Sequence, residues 1–242
     1  MSPESPVTLI TAAGRGMGAA IARELAGRGH RLVLMSPSGS AAALATELAA
    51  AGSTEAVGLT GSVTDEADLD ALVAAAVDRW GRVDGVVANT GHPPKGDLLD
   101  VADDAWHSAL DLVLLNVVRL ARRVVPLMER QGGGGAFVNI SAFGAYEPSL
   151  AFPVSSTLRA ALGAFARLFA SRYGEAGIRM NNVLPGFIDS YPETPELVAN
   201  IPMGRFGKVE EIAKTVAFLL SPDAGYLTGD SLRLDGGMSR SV

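Results

Sequence analysis

The sequence predicts an α/β fold, a mainly parallel sheet covered by helices on both faces. Three observations carry this. Short runs of β-branched and aliphatic residues alternate with longer stretches whose apolar residues recur at helical spacing. The short runs are apolar throughout, as expected of strands buried on both sides. A glycine-rich turn follows the first run and opens the first helical stretch, the start of a βαβ arrangement.

The elements follow in order. VTLIT (7–11) is a buried strand, and the amphipathic stretch after its glycine turn runs to about Gly29. RLVLM (31–35) is a second strand and SAAALATELAAAG (40–52) a second helix. EAVGL (55–59) is a third strand, followed by EADLDALVAAAVDRWG (66–81) with apolar residues at helical spacing. GVVAN (85–89) is a fourth strand. Residues 103–131 read as one long helical region that GGGG (132–135) ends. AFVNIS (136–141) is a fifth strand, and Pro153 opens a helix that runs to about Gly174. RMNNVLP (179–185) is a sixth strand, VEEIAKTVAFLLS (209–221) a helix and SLRLD (231–235) a last strand. No Pro/Ser-rich linker and no repeat interrupts the pattern, so one domain over residues 1–242 is expected.

Composition narrows the function. The chain is 48% hydrophobic and 19% charged, enough apolar surface for a core. Its net charge of −6 provides no global basic field for nucleic acid or an anionic membrane. There is no cysteine, which excludes disulfides, thiol nucleophiles and thiolate metal sites. Three histidines at 30, 92 and 107 have no metal-ligand spacing, so no metal is expected. The opening MSPESPVTLI has no basic n-region or apolar signal core, and no apolar run approaches transmembrane length. A soluble cytoplasmic protein with a small-molecule partner is the expectation.

TAAGRGMGAAIA (11–22) sits between the first strand and the first helix. Gly14, Gly16 and Gly18, with Arg15 and Met17 between them, form a turn whose backbone can approach a ligand closely. The helix start offers unpaired N–H groups and a positive dipole end to a pyrophosphate. NAD sites place a carboxylate at the end of the second strand. Here that region reads MSPSG (35–39). Ser36 and Ser38 can bond a 2′-phosphate and Arg15 can neutralise it, so NADP(H) is expected over NAD(H).

Several motifs in order make the chain resemble the short-chain dehydrogenase/reductase family over nearly its whole length. TAAGRGMG matches the family's T-G-x3-G-x-G turn, with Ala12 in place of the first glycine. ANTG (88–91) keeps the Asn89 and Gly91 of an N-N-A-G segment, and Asn116 stands where the family has an active-site Asn. LPGFIDS (184–190) matches a P-G-x-I-x-T loop beside the nicotinamide, through Pro185, Gly186 and Ile188. GRFGKVEEIA (204–213) and LTGDSLRLDGG (227–237) match C-terminal elements. The resemblance implies a Rossmann-type domain with seven parallel strands, a nicotinamide cofactor along the strand carboxyl ends, and a homo-oligomer, dimer or tetramer. It places Val63 near the adenine, with Ser62 where an Asp is usual.

The family's chemistry rests on Ser, Tyr and Lys. Aligning NISA (139–142) with the family's N-I-S-S places Ala142 at the catalytic Ser, Ser155 at the Tyr and Arg159 at the Lys. Ser155 and Arg159, four apart, share one helical face. Arg159 is no proton relay, but it can hold ribose hydroxyls, meet a carboxylate or stabilise an oxyanion. Ser141 is a substitute for the missing Ser, and His92 and Tyr146 are the principal candidates for proton transfer, ahead of Glu147, Asp189 and Tyr191. Asn116 is expected to support helix backbone. The function expected is an NADP(H)-dependent oxidoreductase acting on a carbonyl or alcohol through this altered site, with residues 187–203 as a substrate lid. The alternatives are a non-catalytic NADP-binding or partner subunit, and a cofactor-free dehalogenase-, isomerase- or cyclase-like enzyme on the same scaffold.

Overall fold

The computed structural model describes residues 5–52 and 54–240; the first four residues of the opening segment lie outside the described residues. Seven strands form one parallel sheet in the order β3-β2-β1-β4-β5-β6-β7. They are β1 (Val7–Ile10), β2 (Arg31–Ser36), β3 (Ala56–Thr60), β4 (Gly85–Ala88), β5 (Gly135–Ile140), β6 (Ile178–Pro185) and β7 (Ser231–Leu234). The expected α/β class and seven-stranded doubly wound sheet are both present.

Side chains leave opposite faces of a strand in turn, and each face of this sheet packs its own core. Val7 and Leu9 of β1 join one core with α3 (Glu66–Trp80), α5 (Asn116–Gln131) and α6 (Pro153–Tyr173). Ile10 of β1 joins the other with α1 (Gly16–Gly27), α2 (Ser40–Ala50) and α8 (Val209–Leu220). α3 starts on a capping Asp65, whose carboxylate accepts from Ala67 N at 2.8 Å, and stops at Gly81 in the left-handed region, φ 70°.

The long region 103–131 is not one regular helix. α4 (Asp103–Leu110) passes through a π-helical segment, Asp111–Leu115, into α5. At that junction the Asn116 side-chain amide donates to the Leu112 carbonyl, which offers the backbone an alternative partner. A short helix α7 (Pro195–Val198) also forms in the segment expected to be a lid, capped by Thr194.

Two consecutive asparagines inside β6 are fully paired toward the sheet edge. Asn139 of β5 donates to Asn182 Oδ1 at 2.8 Å, and Asn182 donates onward to Ser231 Oγ of β7 at 3.0 Å. Asn181 donates to the Leu227 carbonyl at 2.8 Å and accepts from Asp230 N at 3.1 Å. These bonds let amides sit at zero to one per cent exposure in an otherwise apolar sheet.

Ala12 holds φ 46°, in the left-handed region. The turn imposes it: Ala13 N donates to Met35 O at 3.0 Å, and the Asn89 amide donates to Ala12 O at 3.3 Å. A Cβ costs about 1–2 kcal/mol in this conformation, partly offset by the extra chain entropy that glycine loses. Ala12→Gly is therefore expected to stabilise the fold by about 0.5–1 kcal/mol. A thermal melt checks this; a lower midpoint than wild type would contradict the strain.

Candidate active site

The sheet order reverses between β1 and β4, and the loops leaving their carboxyl ends diverge to open a crevice. Thr11 and Asn89 bridge that point. The Thr11 hydroxyl donates to Asn89 O at 2.6 Å and accepts from Asn89 N at 3.0 Å. The glycine turn lies directly against this bridge. A Cβ on Gly18 would stand 2.2 Å from Ala12 O and 2.9 Å from the Asn89 amide; one on Gly14 would stand 1.9 Å from Ser40 Oγ. Only bare backbone fits at either place.

α1 begins at Gly16 with Arg15 as its N-cap, and the Arg15 side chain makes no capping bond. The first-turn N–H groups are thus left for a ligand anion, with the exposed Arg15 beside them. Ser36 is buried and turned inward. Its hydroxyl donates to Ser38 O at 2.6 Å and accepts from Ala41 N at 3.0 Å, so it braces the start of α2. Ser38 is exposed, 2.8 Å from Ser40 Oγ. Of the three groups expected to meet a 2′-phosphate, Arg15 and Ser38 are therefore accessible and Ser36 is occupied. After β3, Ser62 N donates to Asp68 Oδ2 at 2.8 Å and Val63 is buried. Asp68 shapes this turn, and no local pattern in the sequence links it to Ser62.

Next to the turn is a cavity of about 240 Å³. α6 supplies its inner wall. Pro153 sits at the first helical position, where its missing N–H costs nothing, and the helix presents Ser155 and Arg159 on one face. Arg159 is 6% exposed. Its Nε donates to Ser155 Oγ at 3.1 Å and its Nη1 to Ile140 O at 2.8 Å. Among the described residues no carboxylate pairs with it. Burial pushes the guanidinium down to about 10, so it stays charged at neutral pH.

Ser141 and Thr90 also line the cavity; their hydroxyl oxygens are buried, and neither has a hydrogen-bond partner among the described residues. Ala142, aligned with the family's catalytic Ser, lies beside Ser141 on the wall. Met17, Asn89, Pro185, Gly186 and Ile188 reach the cavity as well. Gly91 leads into the exposed 91–92 rim.

His92 lines the cavity from this rim. Desolvation first, then the positive charges of Arg159, Lys95 and Arg15, hold its imidazole below the ordinary histidine range. Tyr146 is not brought to the cavity. It is 51% exposed, with the Arg233 guanidinium 5.9 Å from its ring centroid. It follows a 3-10 turn, Phe143–Ala145, that points Phe143 inward. Asn116 is buried, does not line the cavity, and donates its side-chain amide to the Leu112 carbonyl of the helix backbone. Asp189 accepts from Val209 N at 3.1 Å and so caps α8, whereas Tyr191 reaches the cavity. Glu147 accepts from Arg240 N, away from the cavity.

The sequence does not single out Lys95. A lone Lys in a Pro-rich loop carries no local signal. Its ammonium sits 4.9 Å from the Phe152 ring centroid and 5.9 Å from that of Tyr191, at the cavity edge. Among the described residues there is no group of three metal-ligating side chains, and no helix is long and apolar enough to cross a membrane.

Residues 11–239 match the family model described as enoyl-(acyl carrier protein) reductase. The chain is 32% identical over 246 residues to the 3-oxoacyl-(acyl-carrier-protein) reductase FabG of Escherichia coli (strain K12), covering 98% of this chain and 99% of that one. Among solved structures it is similar to the L-sorbose reductase of Gluconobacter frateurii, complexed with NADPH and L-sorbose, with a TM-score of 0.91, 27% identity and 98% of each chain covered. A blue fluorescent protein from a metagenomic library, in complex with NADPH, superposes with a TM-score of 0.90 at 31% identity, covering 97% of this chain and 98% of that one. With the glycine turn, the strand order and these likenesses in agreement, the chain belongs to the short-chain dehydrogenase/reductase family.

Proposed function

We propose that this protein is an NADP(H)-dependent oxidoreductase that acts on a small carbonyl or alcohol compound through a non-standard site. Ser155 and Arg159 stand there in place of Tyr and Lys. One observation carries the reading: the glycine cradle opens directly onto a cavity whose inner wall holds a buried, charged Arg159. The cradle fits a dinucleotide, because side chains are excluded at Gly14 and Gly18 and the first turn of α1 is uncapped. The solved relatives bound to NADPH support the choice of cofactor.

Arg15 and Ser38 would hold the 2′-phosphate, the first turn of α1 the pyrophosphate, Val63 and Ser62 the adenine end, and Asn89, Gly91, Pro185, Gly186 and Ile188 the nicotinamide end. When bound, the cofactor supplies or accepts a hydride at the carbonyl carbon. The chain's own part is electrostatic. Arg159 is a fixed cation that cannot serve as a proton source at neutral pH. Ser155 accepts from Arg159, so its own proton is available to an oxygen in the cavity. A hydroxyl and a guanidinium thus converge where an alkoxide develops, and the low local dielectric strengthens both. His92 at the rim is the proton donor in reduction and the acceptor in oxidation. Residues 1–242 are read as one domain, with 187–203 as a lid over the cavity. Phe187, stacked on Phe206 at 5.4 Å and near Phe143 at 5.8 Å, supports the lid. A dimer or tetramer in the cytoplasm completes the proposal.

NADPH is expected to bind at least about tenfold more tightly than NADH, the worth of one charge-assisted phosphate contact, and Arg15→Ala is expected to remove most of that preference. Titration by quenching of intrinsic fluorescence measures it. Tight binding without turnover on any carbonyl would leave the non-catalytic reading; no binding of either cofactor would leave the cofactor-free one.

Arg159→Met is expected to lower turnover by about 10²–10³, as loss of an oxyanion donor does, while NADPH affinity changes little. His92 loses its proton below the ordinary imidazole range. The reductive rate should therefore be highest at low pH and fall as pH rises through that point. The oxidative rate should rise over the same interval. In His92→Gln both inflections should vanish; a pH profile unchanged by the substitution would remove His92 from the chemistry.

A further inference from the structure

Lys95 has no part in that reading, yet its placement is specific. Its loop follows β4, and its ammonium lies over two rings that come from elsewhere in the chain. Phe152 precedes α6 and Tyr191 follows β6. Lys95 is exposed, and the rings' negative faces hold its cation at the cavity edge. No carboxylate pairs with Lys95 among the described residues, and no Asp or Glu lines the cavity. Arg159 at the inner end likewise has no carboxylate partner among the described residues. Positive charge from Lys95, Arg159 and Arg15 falls together on His92. Arg15 and Ser38, the groups assigned to a cofactor phosphate, do not line this cavity, so the charge of Lys95 is not needed there.

The greater part of the cavity surface is apolar, with Phe143, Phe187 and Ile188 on its walls beside several hydroxyls. Arg159 is buried and Lys95 is exposed, so a neutral substrate seated between them would strip water from Lys95 without supplying a counter-charge, which is unfavourable. An anion at the mouth matches one, and the carbonyl oxygen, as it gains charge, matches the other.

We infer that the substrate is an anion, a small carbonyl compound with an apolar body and a carboxylate, and that Lys95 is the residue that reads the carboxylate. The inference rests on the oxidoreductase reading and names its substrate class. Arg159 faces the reacting oxygen; Lys95 positions the far end of the molecule and touches no reacting atom.

The test uses benzoylformate and its neutral methyl ester as probes, with the wild-type chain, Lys95→Gln and Lys95→Arg, by isothermal titration calorimetry in the presence of NADP⁺. Wild type is expected to bind the acid about tenfold or more tightly than the ester, as for one charge-assisted contact, and to lose that margin as ionic strength rises. Lys95→Gln should equalise the two ligands by weakening the acid alone, and Lys95→Arg should restore the preference. If turnover is measurable, the loss should appear in KM for the acid and not in kcat. Equal affinity in wild type, binding of neither probe, or a preference that survives in Lys95→Gln would overturn the inference. An NADPH titration on the same proteins separates the two levels. NADPH binding without carboxylate preference rejects the anionic substrate and leaves the oxidoreductase. Carboxylate preference without NADPH binding rejects the oxidoreductase and leaves the anion site.

Discussion

The hydrogen-bonded pair Thr11 and Asn89 holds the carboxyl ends of β1 and β4 together at the point where strand order reverses, and the candidate site is built outward from it. A parallel sheet that reverses direction of growth leaves a crevice there, because consecutive crossovers go to opposite faces. Thr11 is fully buried, so its hydroxyl must be paired, and it satisfies both of its roles within Asn89's backbone. The glycine turn is pressed against this junction so closely that Gly18 has no room for a methyl group. The strained Ala12 follows from the same crowding: its carbonyl is aimed at the Asn89 amide, and φ takes whatever value that requires.

The second organising feature is a charge without a counter-charge. Burying a guanidinium costs several kcal/mol unless hydrogen bonds and an anion offset it. Among the described residues Arg159 gets a hydroxyl and a carbonyl, but no carboxylate. That arrangement makes sense when negative charge arrives with the ligand or develops during reaction. A lysine and tyrosine at these two places would combine a cation with an acid. In the proposed reading, serine and arginine keep the cation and separate the acid function from it, and proton transfer falls to His92 at the rim, where it sits among positive charges.

Much of this was legible in the sequence. The strands, their order along the chain, the glycine turn with Arg15 at the start of α1, and the placing of Ser155 and Arg159 on one helical face all rest on local spacing, and local spacing survives folding. Tyr146 was misplaced because a single 3-10 turn decides which of two neighbouring aromatic residues faces inward, and Phe143 takes that place. Ser36 was offered to a ligand because a hydroxyl at a strand end looks free until the start of the next helix claims it. The break in the 103–131 helix was hidden because the carbonyl that Asn116 bonds lies within the same regular apolar pattern.

The sequence by itself determined the α/β class, the parallel sheet and the ligand-facing turn, because each depends on residues adjacent in the chain and on the periods of helix and strand. Only the tertiary structure decided the character of the cavity. Lys95, Phe152 and Tyr191 come from three separate loops, and nothing in their spacing brings them together. That no acid among the described residues pairs with Arg159 is likewise a property of the space around it. Contacts between distant segments are set by how helices pack on both faces of the sheet, and electrostatic environment is set by those contacts.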